Sequence, residues 1–397
     1  MAERRLRIAI FSDSCLPILN GVSVSIDALV QELRNRGHSV HIFTTSFPGH
    51  QDTDPNTYRF WALHTPWTGA YPMSLPPFIG TLRKFRRHEF DIIHTHTPFT
   101  VGFCGLRWAE SHGIPIVSTY HTLYDRYAHY IPYFPRRYIR FKIAKHTNFY
   151  YSRVNHVIVP SVAAFRWLRR HSVETPISVI PTGAPRRQLA DRGEMRQMLG
   201  IPPDQRVMLY VGRIAREKNL SSLFEMAAIV CRADPSVRLW LVGDGPYRAA
   251  CAEMARKLGI GDRVRFVGFV PRAEVDHYYA AADLFVFSSI TETQGLVIQE
   301  AMAYGLPAVA VAGGGASASV RDGETGFVVK NDSLQFADAV LRVLGDEELY
   351  ARLSEAASRA VREHGTAEMC EQVLDVYRQV LGGKPRRSHR SEALVRV

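Results

Sequence analysis

The feature that most restricts the fold of this chain is a rhythm. Short β-branched apolar runs recur between stretches of helical periodicity. LRIAIFS, SVHIFTT, FDIIHTH, PIVSTY, VIVPS and ISVIPTG read as strands in the first half; RVMLYVG, VRLWLVG, VRFVGF, DLFVFS, PAVAV and GFVV read so in the second. Several are apolar on both faces, as strands are when helices cover a parallel sheet on two sides. Between the first two, Ile26, Leu29, Val30 and Leu33 stand at i, i+3, i+4 and i+7, a helix stripe that ends at Gly37. The pattern comes in two sets of six strands. It predicts an α/β chain of two doubly wound, Rossmann-like domains facing a central cleft.

Strand signal gives way to Pro, Gly and charge in IPTGAPRRQLADRG, residues 180–193. Domains of 1–185 and 186–365 are therefore expected. Residues 334–363 read as helical and 366–381 as a further apolar-periodic helix. The last residues, 382–397, read as a polar, basic, disordered tail.

Composition excludes several classes. With 397 residues, 46% hydrophobic and 22% charged, the chain is globular and not disordered. No apolar run reaches the roughly 20 residues that span a bilayer. The opening MAERRLRIAIFS leads straight into a strand and lacks the apolar region and cleavage site of a signal peptide. Cys15, Cys104, Cys231, Cys251 and Cys370 are scattered, with no CxxC, which argues against a disulfide framework or structural zinc site and favours a reducing cytoplasm. The net charge of +11 is uneven: residues 1–190 hold 23 basic and 11 acidic side chains, residues 191–397 hold 26 and 27. The halves should meet different partners, and charge alone leaves nucleic acid, anionic lipid and a phosphorylated substrate open for the first.

Four motifs carry chemistry. Glu292-Thr293-Gln294-Gly295-Leu296, followed by Glu300, comes after DLFVFS and leads into a helix, where open α/β sheets bind ligands. A helix N-terminus there offers unpaired N–H groups to a phosphate. Glu300 is expected about two turns into the helix, roughly 10 Å along its axis. That separation suits the two ends of an extended ligand and exceeds the ~5 Å of a retaining glycosidase pair. Alone, the pair reads as a helix N-terminal acid and a surface Glu.

Gly212-Arg213, with Lys218 five residues on, follows RVMLYVG. At a strand's carboxyl end, Arg213 and Lys218 can hold a diphosphate, one as a fork and one as a point charge; a solvated loop cluster is the plainer reading. Asn20-Gly21-Val22-Ser23 permits positive φ before a helix, or is simply a turn with a capping serine. Gly243-Asp244-Gly245-Pro246 ends VRLWLVG and reads alone as an ordinary βα turn.

Taken together, Gly-Arg-x4-Lys, Gly-Asp-Gly-Pro and Glu-x7-Glu, in that order after an Asn-Gly-Val loop, resemble the retaining GT-B glycosyltransferases of the large nucleotide-sugar family. The resemblance runs to about residue 381. It implies that Arg213 and Lys218, with Gly212, bind the donor diphosphate and that Glu300 takes the ribose. Glu292 with Thr293, Gln294, Gly295 and Leu296 would hold sugar and phosphate; Gly268, Phe269 and Val270 would line the base pocket; Asn20 and Gly21 would meet the donor from the first domain. Residues 366–381 would cross back to that domain. A narrower resemblance, to the diacylglycerol glucosyltransferases, rests on Tyr120-His121-Thr122-Leu123-Tyr124 and the Glu-Thr-Gln-Gly form of the loop. It implies His121 at the reaction centre, with Tyr120 and Tyr124 near the acceptor. His94, His96 and His129 read as core histidines, and a zinc reading of His94-x-His96 lacks further ligands. Gly313-Gly314-Gly315-Ala316-Ser317-Ala318-Ser319-Val320 departs from the family by having no acid before the valine, which puts a donor contact from that turn in question.

From Arg126 to Val173 there is no acid but ten Arg or Lys, among them Arg136, Arg137, Arg140, Lys142 and Lys145, interleaved with aromatics such as Tyr127, Tyr130, Tyr133, Phe134, Tyr138, Phe141 and Phe149. A basic, aromatic helix suits an anionic membrane surface. Arg83, Lys84, Arg86 and Arg87 form a second cluster, equally readable as a solvated face. Nucleic acid is the rival partner for the basic half, but no recognition motif accompanies it.

The expectation is a hexosyltransferase moving glucose from UDP-glucose to a membrane lipid such as diacylglycerol. It would act from the cytoplasmic face, with no cofactor and no metal. The alternatives are a transferase acting on phosphatidylinositol or a soluble sugar, a sugar-nucleotide epimerase, or a nucleic-acid binder. An NAD oxidoreductase would need a GxGxxG after the first strand, which is absent.

Overall fold

A computed structural model describes residues 4–18, 20–63, 73–74, 78–126, 134–184, 189–363 and 365–383. The chain divides into two compact units. One comprises residues 1–121, 134–181 and 366–397, the other residues 122–133 and 182–365.

In chain order the first unit contains β1 (Arg7–Ser12), α1 (Gly21–Asn35), β2 (Ser39–Thr45), β3 (Thr57–Phe60), β4 (Ala62–Leu63), β5 (Met73–Ser74), α2 (Ile79–Arg86), β6 (Ile92–Thr95), α3 (Thr100–His112), β7 (Ile116–Thr119), α4 (Arg136–Tyr151), β8 (His156–Val159), α5 (Val162–Arg170) and β9 (Ile177–Val179). Seven of these strands form one parallel sheet in the order β3-β2-β1-β6-β7-β8-β9. β6, β7 and β8 are buried at every position, as the two-faced apolar runs require. The order reverses between β1 and β6, so the loops after those strands open at a switch point, where such sheets bind ligands.

The sheet has one strand more than expected. TYRF in β3 lies on an edge with three of its four residues half-buried, so its polar character fits its place.

The second unit contains α6 (Arg192–Met198), β10 (Arg206–Val211), α7 (Leu220–Ala233), β11 (Val237–Val242), α8 (Arg248–Lys257), β12 (Val264–Gly268), α9 (Arg272–Ala281), β13 (Leu284–Phe287), α10 (Leu296–Ala303), β14 (Ala308–Val311), β15 (Gly326–Val329), α11 (Ser333–Gly345) and α12 (Glu347–Glu363). Its six parallel strands run β12-β11-β10-β13-β14-β15, reversing between β10 and β13. The helical stretch after residue 333 is two helices. Asp346 interrupts it and accepts the Leu349 amide at 2.9 Å at the start of the second.

The last helix, α13 (Thr366–Gly382), belongs to the first unit. Met369, Cys370, Val373, Leu374, Val376 and Tyr377 join Ile26, Leu29, Val30 and Leu33 of α1 in one buried cluster. No helix among the described residues is long and apolar enough to cross a membrane. Of the expected basic tail, residues 384–397 lie outside the described residues.

Candidate active site

In the second unit, the loops at the carboxyl ends of β10 and β11 lock together through backbone contacts. Gly212 donates to the Val242 carbonyl at 2.9 Å, Ile214 to Asp244 at 3.0 Å, and Tyr247 to Ile214 at 3.1 Å. The approach is so close that a Cβ on Gly243 would stand 2.1 Å from the Gly212 oxygen, and one on Gly245 would stand 2.3 Å from the Ile214 oxygen. Gly243 also sits at φ +131. Gly-Asp-Gly-Pro is therefore no ordinary turn. Its glycines let it carry the Arg213–Lys218 loop.

That loop ends in a single 3-10 turn, Arg216–Lys218, with Asn219 in the left-handed region before α7. Its carbonyls are held from the β13 side: Ser288 Oγ donates to Lys218 O at 3.0 Å, and Thr291 Oγ1 donates to Glu217 O at 3.3 Å. The side chains meet as well, because Lys218 Nζ pairs with Glu292 Oε1. Arg213 stands exposed at the mouth of β10. The carboxylate of Glu292 and the ammonium of Lys218 thus stand side by side, just ahead of α10.

Gln294 holds the loop to the chain at Thr182. It is buried, its Oε1 accepts the Thr182 amide at 2.9 Å, and its Nε2 donates to the Thr182 carbonyl at 2.8 Å. This two-way bond makes it a tether for the loop. Thr293 is half-buried, and Gly295 at φ +71 turns the chain into α10, whose first residue is Leu296.

The Gly313–Val320 turn buttresses the same loop. Gly315 donates to the Glu292 carbonyl at 2.6 Å and Ser319 Oγ to the Gln294 carbonyl at 3.1 Å. A Cβ on Gly314 would come within 2.7 Å of Glu292 O. The turn thus supports the backbone of the 292–294 loop.

Because α10 begins at Leu296, Glu300 lies little more than one turn into the helix, not two. Nor is it a surface residue: it is 4% exposed. Arg272 at the start of α9 pairs with its Oε1, and Tyr279 Oη donates to its Oε2 at 2.9 Å. Burial disfavours the Arg272 charge, yet its hydrogen bond and pairing with Glu300 hold its pKa above the ordinary value. Arg272 and Tyr279 were not anticipated from the sequence, where they stand 28 and 21 residues before Glu300. Gly268, at φ +92, accepts the Gly243 amide at 2.8 Å, Phe269 is 71% exposed beside it, and Val270 packs on the core.

In the first unit the Asn20-Gly21 turn proves to be a capping box. Asn20 at φ −156 is the N-cap of α1, accepting from Val22 and Ser23 at 2.9 and 3.0 Å, while Ser23 Oγ accepts the Asn20 amide at 3.0 Å. Neither residue takes a positive φ, and the capping side chain is asparagine, not serine. Gly21 is the first helical residue.

His121 ends a row of buried imidazoles. Its Nε2 lies 2.9 Å from His96 Nδ1, and the His96 ring lies 4.2 Å from that of His94. His94 in turn bonds Tyr377 Oη and Thr119 Oγ1, each at 2.7 Å. Burial drives His121 down to about 4 and His94 to about 3 and, with help from both neighbours, holds His96 well below its ordinary value. All three are neutral at physiological pH. Among the described residues no group of three or more His, Cys, Asp or Glu side chains is arranged to hold a metal ion.

Tyr120 must be withdrawn from the acceptor residues: it is fully buried, edge-on to Tyr151 and stacked on Trp167 at 5.6 Å. Tyr124 is half-buried in a single turn over 124–126. Tyr127, His129, Tyr130 and Tyr133 lie outside the described residues. The basic stretch forms α4, with Ile139, Thr147, Tyr150 and Tyr151 buried and Arg136, Arg137, Tyr138, Arg140, Phe141, Lys142, Lys145 and Phe149 exposed.

Comparison with known proteins accounts for both units. Residues 191–360 match the family model "Glycosyl transferases group 1", and residues 19–187 match "Glycosyltransferase Family 4". Two proteins named alpha-monoglucosyldiacylglycerol synthase are similar. That of Streptococcus pneumoniae is 35% identical over 77% of this chain and 71% of its own; that of Acholeplasma laidlawii is 31% identical over 92% and 96%. A GDP-mannose-dependent alpha-mannosyltransferase of Mycobacterium tuberculosis is 28% identical over 95% and 97%. Among solved structures, sucrose-phosphate synthase of Thermosynechococcus elongatus superposes with a TM-score of 0.76 at 25% identity, over 96% of this chain and all of that one. Two Rossmann-like sheets, loops locked at their carboxyl ends and relatives at this level make the chain a member of the group 1 GT-B glycosyltransferases, a hexosyltransferase.

Proposed function

We propose that the protein transfers glucose from UDP-glucose to diacylglycerol, with retention, at the surface of an anionic membrane. The observation that carries the lipid acceptor is the exposed face of α4, where five cations alternate with Tyr138, Phe141 and Phe149, in a chain whose relatives include two alpha-monoglucosyldiacylglycerol synthases. Each cation contributes about 1 kcal/mol near an anionic surface, and the rings add apolar area. The enzyme would work from the cytoplasmic face as a peripheral protein.

The second unit takes the donor. Arg213, Lys218 and the amides at the start of α10 receive the diphosphate. Lys218 exchanges Glu292 for a phosphate oxygen, which frees the carboxylate to orient the sugar. Glu300, held rigid by Arg272 and Tyr279, meets the ribose. The acceptor hydroxyl attacks the anomeric carbon on the face the diphosphate leaves. The bond to the diphosphate breaks with its electron pair, and the hydroxyl proton passes to a departing phosphate oxygen. Cations and helix amides stabilise the charge that develops there. His121 contacts the substrates from the first unit.

The mannosyltransferase relative favours a second reading, GDP-mannose as donor. Vesicles of diacylglycerol and anionic lipid, incubated with the enzyme and UDP-glucose or GDP-mannose, separate the two by product mass. Glucosyldiacylglycerol is expected; no glycolipid from any nucleotide sugar overturns the proposal. Replacing Arg136, Arg137, Arg140 and Lys142 by serine should abolish co-sedimentation with the vesicles, and unchanged binding rejects the membrane role of α4.

A further inference from the structure

Both N–H groups of the Gln294 side chain have an acceptor. Nε2 donates to the Thr182 carbonyl at 2.8 Å and to Gln299 Oε1 at 3.4 Å, while Oε1 accepts the Thr182 amide at 2.9 Å. A side-chain amide has two N–H donors, so neither is left to offer a ligand. Gln294 is 7% exposed and Thr182 6%. A group buried and filled in this way can fix the backbone that carries it. Facing the amide and the carbonyl of one residue, it joins the loop to the chain at Thr182 much as a strand pair would.

The anchor is itself held. Thr182 is the residue at which the chain passes into the second unit, and two residues on, Ala184 forms a parallel bridge with Gly365 at the end of that unit. The Gly313–Val320 turn, in contrast, reaches main-chain oxygens of the loop, those of Glu292 and Gln294. Gly295, at φ +71, follows directly, and a glycine there gives the chain little stiffness of its own.

We propose that Gln294 is a positioning residue for sugar transfer. By tying the loop to Thr182 it holds the Glu292 carboxylate, two residues earlier, where it meets the sugar of the donor. In the proposed function Glu292 orients that sugar, and the role of Gln294 rests on this step, whichever nucleotide sugar and acceptor are used. A carboxylate freed from its tether still reaches the sugar but is seldom aligned with it. The loss therefore falls on kcat and spares the KM for the donor.

A double-mutant cycle on the full chain tests this, run with the nucleotide sugar and acceptor that give product. Gln294→Leu keeps the volume and removes both bonds to Thr182; kcat should fall about tenfold, with the donor KM within about twofold. In Glu292→Ala the same substitution should cost less than about twofold, because the group it positions is gone. Hydrogen exchange at the Thr182 amide should be about tenfold faster in Gln294→Leu. Equal losses in both backgrounds overturn the positioning role, as do a raised donor KM with kcat intact or a Thr182 amide that exchanges no faster. If Gln294→Leu does not fold, Gln294→Glu takes its place in the cycle: an ionised carboxylate accepts the Thr182 amide but has no proton for the carbonyl. Should UDP-glucose and diacylglycerol give nothing while another donor or acceptor does, the functional reading fails, and the cycle with that pair still decides Gln294.

Discussion

The two units share a scaffold and solve the same problem in opposite ways. Each buries polar groups near the carboxyl ends of a parallel sheet. In the first unit they are imidazoles made neutral by desolvation and linked ring to ring. In the second they are charges kept by pairing, the buried Glu300 with half-buried Arg272 and half-buried Lys218 with Glu292. A buried charge without a partner is far costlier than a buried neutral group, so each device excludes the other.

The contrast breaks most visibly at Glu300. Glu300→Leu leaves Arg272 and Tyr279 without their acceptor and should cost about 3 kcal/mol in urea unfolding. That is the low end for buried pairs, because the Arg272 side chain is 34% exposed. Adding Arg272→Met should recover most of the loss. A cost under about 1 kcal/mol would mean that pairing does not hold this unit together. Next comes Lys218→Ala, expected to lower kcat about a hundredfold by removing a cation from the departing diphosphate. Activity within a few-fold of wild type would transfer that duty to Arg213 and the helix amides.

The gentlest probe is pH. His94 and His121 fall from 6.5 unfolded to about 3 and about 4 folded, so the unfolded chain binds more protons in between. Their contribution is complete above pH 6.5 and is lost as pH falls toward 4, at about 1.4 kcal/mol per pH unit for each ring. Asp13, raised by burial, works in the opposite sense. Unfolding midpoints between pH 7.5 and 5 should fall in wild type and fall less in His94→Gln. A flat profile would show that these imidazoles are solvated.

Strands and motif positions were legible because they depend on local pattern. A short β-branched run apolar on both faces and bounded by turn residues fits an interior strand, and a motif that follows it then sits at the carboxyl end. What escaped depends on partners distant in sequence. Nothing near Glu300 announces that it is buried, since its partners are 28 and 21 residues away. The bond of Gln294 to Thr182, 112 residues earlier, has no sequence signal either. Tyr120 stands beside a candidate site in sequence and points into the core in space. The edge strand β3 was missed for the opposite reason, being polar enough to pass for a loop.

The place of α13 has a consequence for how the molecule is made. The buried cluster of the first unit draws on Leu6, Ile8 and Ile10 at one end of the chain and on Val373 and Tyr377 at the other. As the chain leaves the ribosome, residues 182–365 can fold while the first unit still shows an apolar face with nothing to cover it. The half synthesised first is therefore finished last. Until Tyr377 arrives, His94 lacks one of its two side-chain partners, so the imidazole row is completed only after residues 182–365 have been made.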